Sequence, residues 1–142
     1  MVFERLRFRT TGPGPTEFTG DLKPLIPEGA SGLLTLFVRH TSCSLLVQEN
    51  ADPDVRTDLL EYFNRLVPPS SDPSMDYLTH TYEGPDDMPA HIKAALLPTC
   101  LTIPIENGQL LLGTWQGVYL VEHRAHRHTR EVIVQFSGEL PA

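Results

Sequence analysis

Proline and glycine recur so often along this chain that no segment leaves room for a long helix. Thirteen prolines and ten glycines stand among 142 residues, about one position in six. Each tends to end or bend a regular element. Many short elements must therefore share one core, and the length suits a single domain over residues 1–142. Between the breakers, period-two alternation is the main signal. Val2, Glu4, Leu6 and Phe8 alternate with Phe3, Arg5, Arg7 and Arg9, as a strand with one apolar face requires. Gly32 to His40 carries Leu33, Leu34, Leu36, Phe37 and Val38 on both parities and reads as a strand covered on both sides. Ser44 to Gln48 reads as its neighbour.

Two segments carry a helical period instead. Asp52 can cap and Pro53 can open a helix, whose Val55, Leu59, Phe63 and Leu66 fall on one side before Pro68-Pro69 ends it. Residues 68–80 then form a surface loop of a length that is usually functional. A second helix starts near Asp86-Asp87 and stops at Pro98, with Met88, Ile92, Ala95 and Leu96 as its expected buried stripe. Asp21 to Ile26 allows one short helical turn between Pro24 and Pro27. Strands return in the last third. Cys100–Ile105 and Gln109–Leu112 flank Glu106-Asn107-Gly108, and Asn-Gly between apolar runs is a strong hairpin signal. Gly117–His123 and Arg130–Phe136 read as a further pair around the His-rich segment 124–129. The expected class is α+β, an antiparallel and mostly strand domain with two main flanking helices.

Charge narrows the partners. Eleven Lys and Arg face 18 Asp and Glu, a formal net charge of −7, which excludes a non-specific nucleic-acid binder. A small phosphorylated ligand stays open, because a local Arg cluster can outvote net charge. The longest apolar runs fall far short of the roughly 18 residues a membrane span needs. Met1 to Thr11, with Glu4, Arg5, Arg7 and Arg9, contains no secretory apolar region. Cys43 and Cys100 do not make a disulfide framework. These features together describe a cytoplasmic domain without a membrane partner. No P-loop, dinucleotide-binding glycine motif or serine-hydrolase elbow is present.

Several polar residues are candidates for chemistry. His40 ends the Gly32 strand on the parity of Leu34, Leu36 and Val38, as either a hydrogen-bonded core residue or a ligand at the mouth of the core. His91 lies in the first turn of the second helix, where Asp86 and Asp87 either cap the helix or one of them converges with His91 on a metal or proton-transfer site. His80, on the preceding loop, can swing toward the same place, and three imidazoles from separate segments suit Zn²⁺ or another first-row ion. No two histidines have the i, i+4 spacing of a helical zinc motif. His123, His126 and His128 read as an exposed turn, with Arg124, Arg127 and Arg130 as an alternative phosphate clamp. Glu49 follows the parity of Leu45 and Val47 inward as a candidate general base or metal ligand, while Asp52 is explained as a cap. Cys43 and His40 face opposite sides of an extended strand and do not form a dyad. Trp115 is either a core residue or a stacking platform, with Thr114 and Gln116 as polar contacts.

Four blocks together resemble the YjbQ family, named as secondary thiamine-phosphate synthases. They are His40-Thr41-Ser42 running to Glu49-Asn50-Ala51-Asp52-Pro53; Tyr82-Glu83-Gly84 to Asp86-Asp87-Met88-Pro89-Ala90-His91-Ile92-Lys93; Gly113-Thr114-Trp115-Gln116-Gly117; and Gly138-Glu139. The resemblance runs over nearly the whole chain. It implies an antiparallel β-sandwich-like domain assembled as a homotrimer, with a His-lined interface pocket for a divalent metal ion, Zn²⁺ or Mg²⁺. It implies His40, His80 and His91 as metal ligands, Glu49 and His91 as catalytic groups, and Asn50, Thr114, Trp115 and Gln116 as ligand contacts. Residue type and position add Asp87 to the catalytic groups and Arg124 to the ligand contacts. The implied activity joins hydroxymethylpyrimidine diphosphate to thiazole phosphate, with Arg124, Arg127, Lys93 and the imidazoles on the leaving diphosphate. Two other classes compete: a trimeric module that binds a metal or phosphorylated metabolite without turnover, and a metal-dependent hydrolase.

Overall fold

The computed structural model describes residues 2–141. Met1 and Ala142, both inside the expected 1–142 domain, lie outside the described residues, as do the side chains of Val2 and Phe3 in the expected alternation. The strands are β1 (Val2–Thr10), β2 (Gly14–Glu17), β3 (Ser31–Val38), β4 (Cys43–Glu49), β5 (Cys100–Glu106), β6 (Gln109–Leu110), β7 (Gln116–Glu122) and β8 (His128–Glu139). The helices are α1 (Thr19–Leu22), α2 (Pro53–Leu66) and α3 (Asp87–Leu96). Five strands form one antiparallel sheet in the order β1-β8-β3-β5-β6, and three form another in the order β2-β7-β4. The chain is thus a mixed α+β protein built on antiparallel sheets, with α1 as a third, short helix. No helix among the described residues is long and apolar enough to cross a membrane.

Local signals account for several elements directly. Glu106 pairs with Gln109 across a two-residue loop, where Asn107 and Gly108 both take positive φ, 49° and 78°, as the tight hairpin turn demands. Asp52 accepts from the Asp54 N–H at 2.9 Å and caps α2, with Pro53 in its first turn. Gly32 and Gly138 face each other across β3 and β8. A Cβ on either would collide with the opposite backbone, so only glycine permits this approach. One apolar cluster joins the two sheets, with Leu34, Leu36 and Val38 of β3 meeting Leu45, Val118 and Leu120 from the smaller sheet.

Five expectations about arrangement are corrected. β3 does not pair with β4, and β7 does not pair with β8; β7 lies between β2 and β4 while β8 lies between β1 and β3. Both are central strands with both edges already taken, so residues 123–127 cross between sheets instead of closing a hairpin. β3 is covered on one face only within this chain, since Leu33 and Phe37 are 46% and 44% exposed. On α3 the buried residues are Asp87, Pro89, Ala90, Lys93 and Ala94, while Leu96 is exposed. The small Ala90 and Ala94 let the helix lie close against β4, and that proximity outweighs the burial of larger side chains on its other face. Leu66 also stays exposed, because the chain leaves α2 there and Val67 takes the buried place.

Candidate metal centre

The loop from 67 to 86 is tied at its base by the Ser70 N–H donating to the Pro85 carbonyl at 2.9 Å. Inside it, Asp72 caps a single 3-10 turn at Pro73–Met75 and Met75 is buried. This braced loop delivers His80 to the start of α3. There His80 Nε2 stands 2.6 Å from Asp87 Oδ2, and His91 Nε2, one helical turn along, stands 3.3 Å from the same oxygen. The two rings meet edge to face with centroids 5.4 Å apart. One donor atom from each of the three residues lies within 4.8 Å of the others.

Asp87 is almost fully buried, while His80 and His91 are partly open to solvent. Burial alone pushes its carboxyl up, but hydrogen bonding from His80 and Glu83 and the charges of Arg124 and His91 outweigh that and hold it below the usual carboxylate range. Arg124 reaches across from the β7–β8 crossover. Its Nη1 donates to Asp87 Oδ1 at 2.6 Å, its Nε to Asp86 Oδ2 at 3.0 Å, and its Nη2 to the Glu83 carbonyl at 3.2 Å. Asp86 also accepts from the Ala125 N–H at 2.8 Å. Neither aspartate caps α3 through its side chain; both are spent on Arg124 and the centre.

The His91 ring is fixed from behind. Its Nδ1 is 2.9 Å from the Thr41 carbonyl oxygen, which can only accept, so Nδ1 carries a proton. In the neutral ring, Nε2 then presents a lone pair toward Asp87 Oδ2. Two lone pairs 3.3 Å apart call for a cation between them, either a proton or a metal ion. A ring nitrogen donating to a backbone carbonyl is the usual support of a metal-ligating histidine. The donor set of two imidazoles and one carboxylate therefore fits a first-row divalent ion. The 2.6 Å His80–Asp87 contact is a hydrogen bond that an ion would replace.

The other expected site residues are placed elsewhere. His40 is outside this cluster: its Nε2 accepts the Glu131 N–H at 2.8 Å, and burial, reinforced by Arg130, lowers its pKa. Glu49 is engaged locally, its Oε2 accepting the Asp52 N–H at 2.9 Å at the entry to α2. Asn50 donates to Glu17 Oε2 and to the Gln116 carbonyl, and Gln116 Oε1 accepts the Gly113 N–H. Thr114 is exposed and Trp115 is 63% exposed, so the ring is no core residue. Cys43 is buried, which pushes its thiol up to about 11 and removes it as a nucleophile. The Arg cluster does not form a phosphate clamp, because Arg124 is committed to aspartates and Arg130 to Glu122. His123 is not on an exposed turn. It is buried at the end of β7 with Nε2 2.9 Å from Ser44 Oγ. Nothing in the sequence marks the Thr41 carbonyl, whereas the four-residue spacing of Asp87 and His91 is a legible signal that places both on one face of a helix.

Comparison with known proteins bears on this geometry. A family model described as "UPF0047 protein YjbQ-like" matches residues 4–139. UPF0047 protein sll1880 of Synechocystis is 51% identical over 139 residues, spanning 96% of this chain and 92% of that protein. UPF0047 protein YjbQ of Escherichia coli O157:H7 is 45% identical over 114 residues, 80% of this chain and 79% of that one. The crystal structure of the conserved hypothetical protein TT1486 from Thermus thermophilus superposes with a TM-score of 0.81 at 36% identity, covering 94% of this chain and 99% of that one.

The expectation of thiamine-phosphate synthesis is overturned by these relatives. They carry only UPF0047 or hypothetical designations, and none supports that activity. The residues that reading needed are also spent otherwise: Arg124 holds two aspartates, Lys93 donates to Asn64, and the Trp115 ring projects to solvent. What the matches do establish is descent: this chain belongs to the YjbQ-like UPF0047 family.

Proposed function

We propose that His80, Asp87 and His91 bind one first-row divalent metal ion, with Zn²⁺ preferred over Mg²⁺, and that the chain presents this ion to a small phosphorylated metabolite. The observation that carries the reading is the His91 ring, pinned through Nδ1 to the Thr41 carbonyl so that Nε2 faces Asp87 Oδ2. Two imidazole donors favour zinc, since magnesium prefers an all-oxygen shell and retained waters. Three protein ligands leave a coordination position for an outside ligand, and a phosphate oxygen is an anionic donor suited to it. When bound, the ion supplies a Lewis acid at that position. The chain's own residues do the positioning: Thr41 sets the His91 tautomer and Arg124 holds Asp87 by its other oxygen.

The same reading takes the protein as a cytoplasmic homotrimer of single-domain subunits. Exposed Leu33 and Phe37 on the outward face of β3 support assembly, and the one apolar cluster shared by both sheets supports a sandwich-like packing. Chelator-stripped protein should bind about one Co²⁺ or Zn²⁺ per chain, with a Co²⁺ visible spectrum typical of low coordination number. His91→Ala and Asp87→Ala should weaken binding at least about 100-fold, because each removes a direct ligand. Affinity for Mg²⁺ exceeding that for Zn²⁺, or variants that bind as tightly as the parent, overturns the assignment.

A further inference from the structure

A second region, which Asp86 lines on one side, has different chemistry. α2 buries none of its residues fully and rests over the outer face of the β2-β7-β4 sheet. Beneath it runs a narrow slot walled by Leu46, Leu59, Leu60, Phe63 and Val121. At the end of α2 nearest α3 the slot meets a cavity of about 310 Å³, lined mainly by Pro13, Val67, Pro69 and Pro89, with Asn64, Asp86, Lys93 and His123 as its polar residues. Lys93 and His123 line both spaces and so stand at their junction.

Lys93 is the unusual group. It is 8% exposed, and its Nζ donates to Asn64 Oδ1 at 2.8 Å, which uses one of three N–H donors. Among the described residues no carboxylate lies within ion-pair distance of it. The nearby acids are otherwise engaged: Glu122 is paired with Arg130 and Asp86 with Arg124. His123 faces Ser44 and brings no negative charge. A buried ammonium without a counter-ion is costly, and this one borders an open, largely apolar cavity.

We propose that this cavity binds a small apolar monocarboxylate, its carboxylate on Lys93 Nζ and its hydrocarbon over Val67, Pro69 and Pro89. The two remaining Lys93 donors match the two oxygens of one carboxylate, and one positive charge matches one negative. A phosphate dianion fits worse, because among the described residues no second Lys or Arg lines the cavity, Arg56 lining only the slot, and the Asp86 carboxylate lines the cavity. The apolar walls hold the tail, with the slot under α2 as its extension. The site is independent of the metal centre, and its ligand does not depend on an ion being present.

Octanoate is the probe, titrated calorimetrically into the full chain, with octan-1-ol and octyl phosphate as comparison ligands. Octanoate should bind the parent and His91→Ala alike. Lys93→Met should weaken it at least about tenfold, the scale of one lost charge-assisted hydrogen bond. Without ligand, Lys93→Met should melt no lower than the parent, since it removes a buried unpaired charge and keeps an unbranched side chain. Octanoate binding lost in His91→Ala but kept in Lys93→Met would move the carboxylate to the metal centre and overturn the site. Equal binding of octan-1-ol, tighter binding of octyl phosphate than of octanoate by His91→Ala, or no octanoate binding by the parent each overturns it as well. Failure of metal uptake with octanoate binding intact would sink the metal reading alone.

Discussion

Arg124 and Arg130, the two least exposed arginines that pair with carboxylate groups, do so to opposite ends. Arg130 and Glu122 are 4% and 2% exposed. Arg130 Nε and Nη2 both donate to the Glu122 carboxylate, Nη2 also reaches Ser42, and Glu122 further accepts from Thr10 and from the His123 and Arg124 N–H groups. That network is closed, since the strong donors and acceptors around it are used inside the protein. Arg124 holds Asp87 by one oxygen only and leaves the other toward two part-exposed imidazoles. A polar cluster becomes a site when an acceptor is held rigidly but left unsaturated by its own chain. The first network locks strands from both sheets together; the second is aimed outward.

The sharpest way to break this comparison is to remove one carboxylate charge from each network. Glu122→Gln leaves the Arg130 guanidinium buried without a counter-charge and should cost roughly 3–5 kcal/mol of unfolding free energy. Asp87→Asn should cost about 1 kcal/mol in the metal-free protein, because Asp86 still pairs with Arg124. Urea titration of both variants at pH 7 measures the two costs. Comparable losses would erase the distinction between a closed and an open network.

Acid sharpens it next. Burial drives the His123 imidazole down to about 4, with the charge of Lys93 adding to the effect. The unfolded chain therefore binds this proton near pH 6.5 while the folded chain resists it down to about 4. A group with its folded pKa lowered contributes stability that is fully present above 6.5 and is lost as pH falls toward 4. The loss should reach roughly 3 kcal/mol over that window. His123→Gln should flatten the slope between pH 6.5 and 4. Glu122 is likewise held low, burial being outweighed by Arg130 and Thr10, and its contribution disappears only in more acid solution.

How far this was readable from residues depends on the range of the interaction. The Asn107-Gly108 turn, the Asp52 cap and the alternation of β1 are short-range, and each is formed as its spacing requires. Strand partnership is not local: β7 and β8 carry apolar residues on both parities, and nothing in either says which edges it will meet. Periodicity points to the wrong face of α3, because large apolar residues outrank alanine in any such count, whereas close approach to β4 favours Ala90 and Ala94. In the candidate centre, His80, Asp87 and His91 were legible from residue type and position, and the structure brings them together. His40 had the right residue type, but its Nε2 is taken by a backbone N–H across the sheet, a contact that no spacing in the sequence encodes. Burial of His123 and Arg130 was hidden for the same reason, since a His- and Arg-rich stretch looks solvated until its partners Ser44 and Glu122 are placed.

Metal addition should separate the open centre from the closed network by a smaller but cleaner margin. An ion that binds only the folded chain stabilises it by about 2.7 kcal/mol at one hundred times its dissociation constant. The parent should therefore gain that much in Zn²⁺, measured by chemical denaturation with and without chelator, while His91→Ala gains almost nothing. Glu122→Gln, though far less stable at the start, should show the same increment as the parent, because its network shares no ligand with the centre. Trp115→Ala sets the lower limit of the series. Its ring is 63% exposed and the contact it makes through its carbonyl, with the Asn50 N–H at 2.9 Å, survives the substitution. Zinc affinity should stay within about twofold and stability within roughly 0.5 kcal/mol. A large loss of zinc binding in Trp115→Ala would mean that the Gly113–Gly117 segment reaches the centre in a way one chain does not display, such as across a subunit contact, and the open network would then extend beyond the three residues that frame it here.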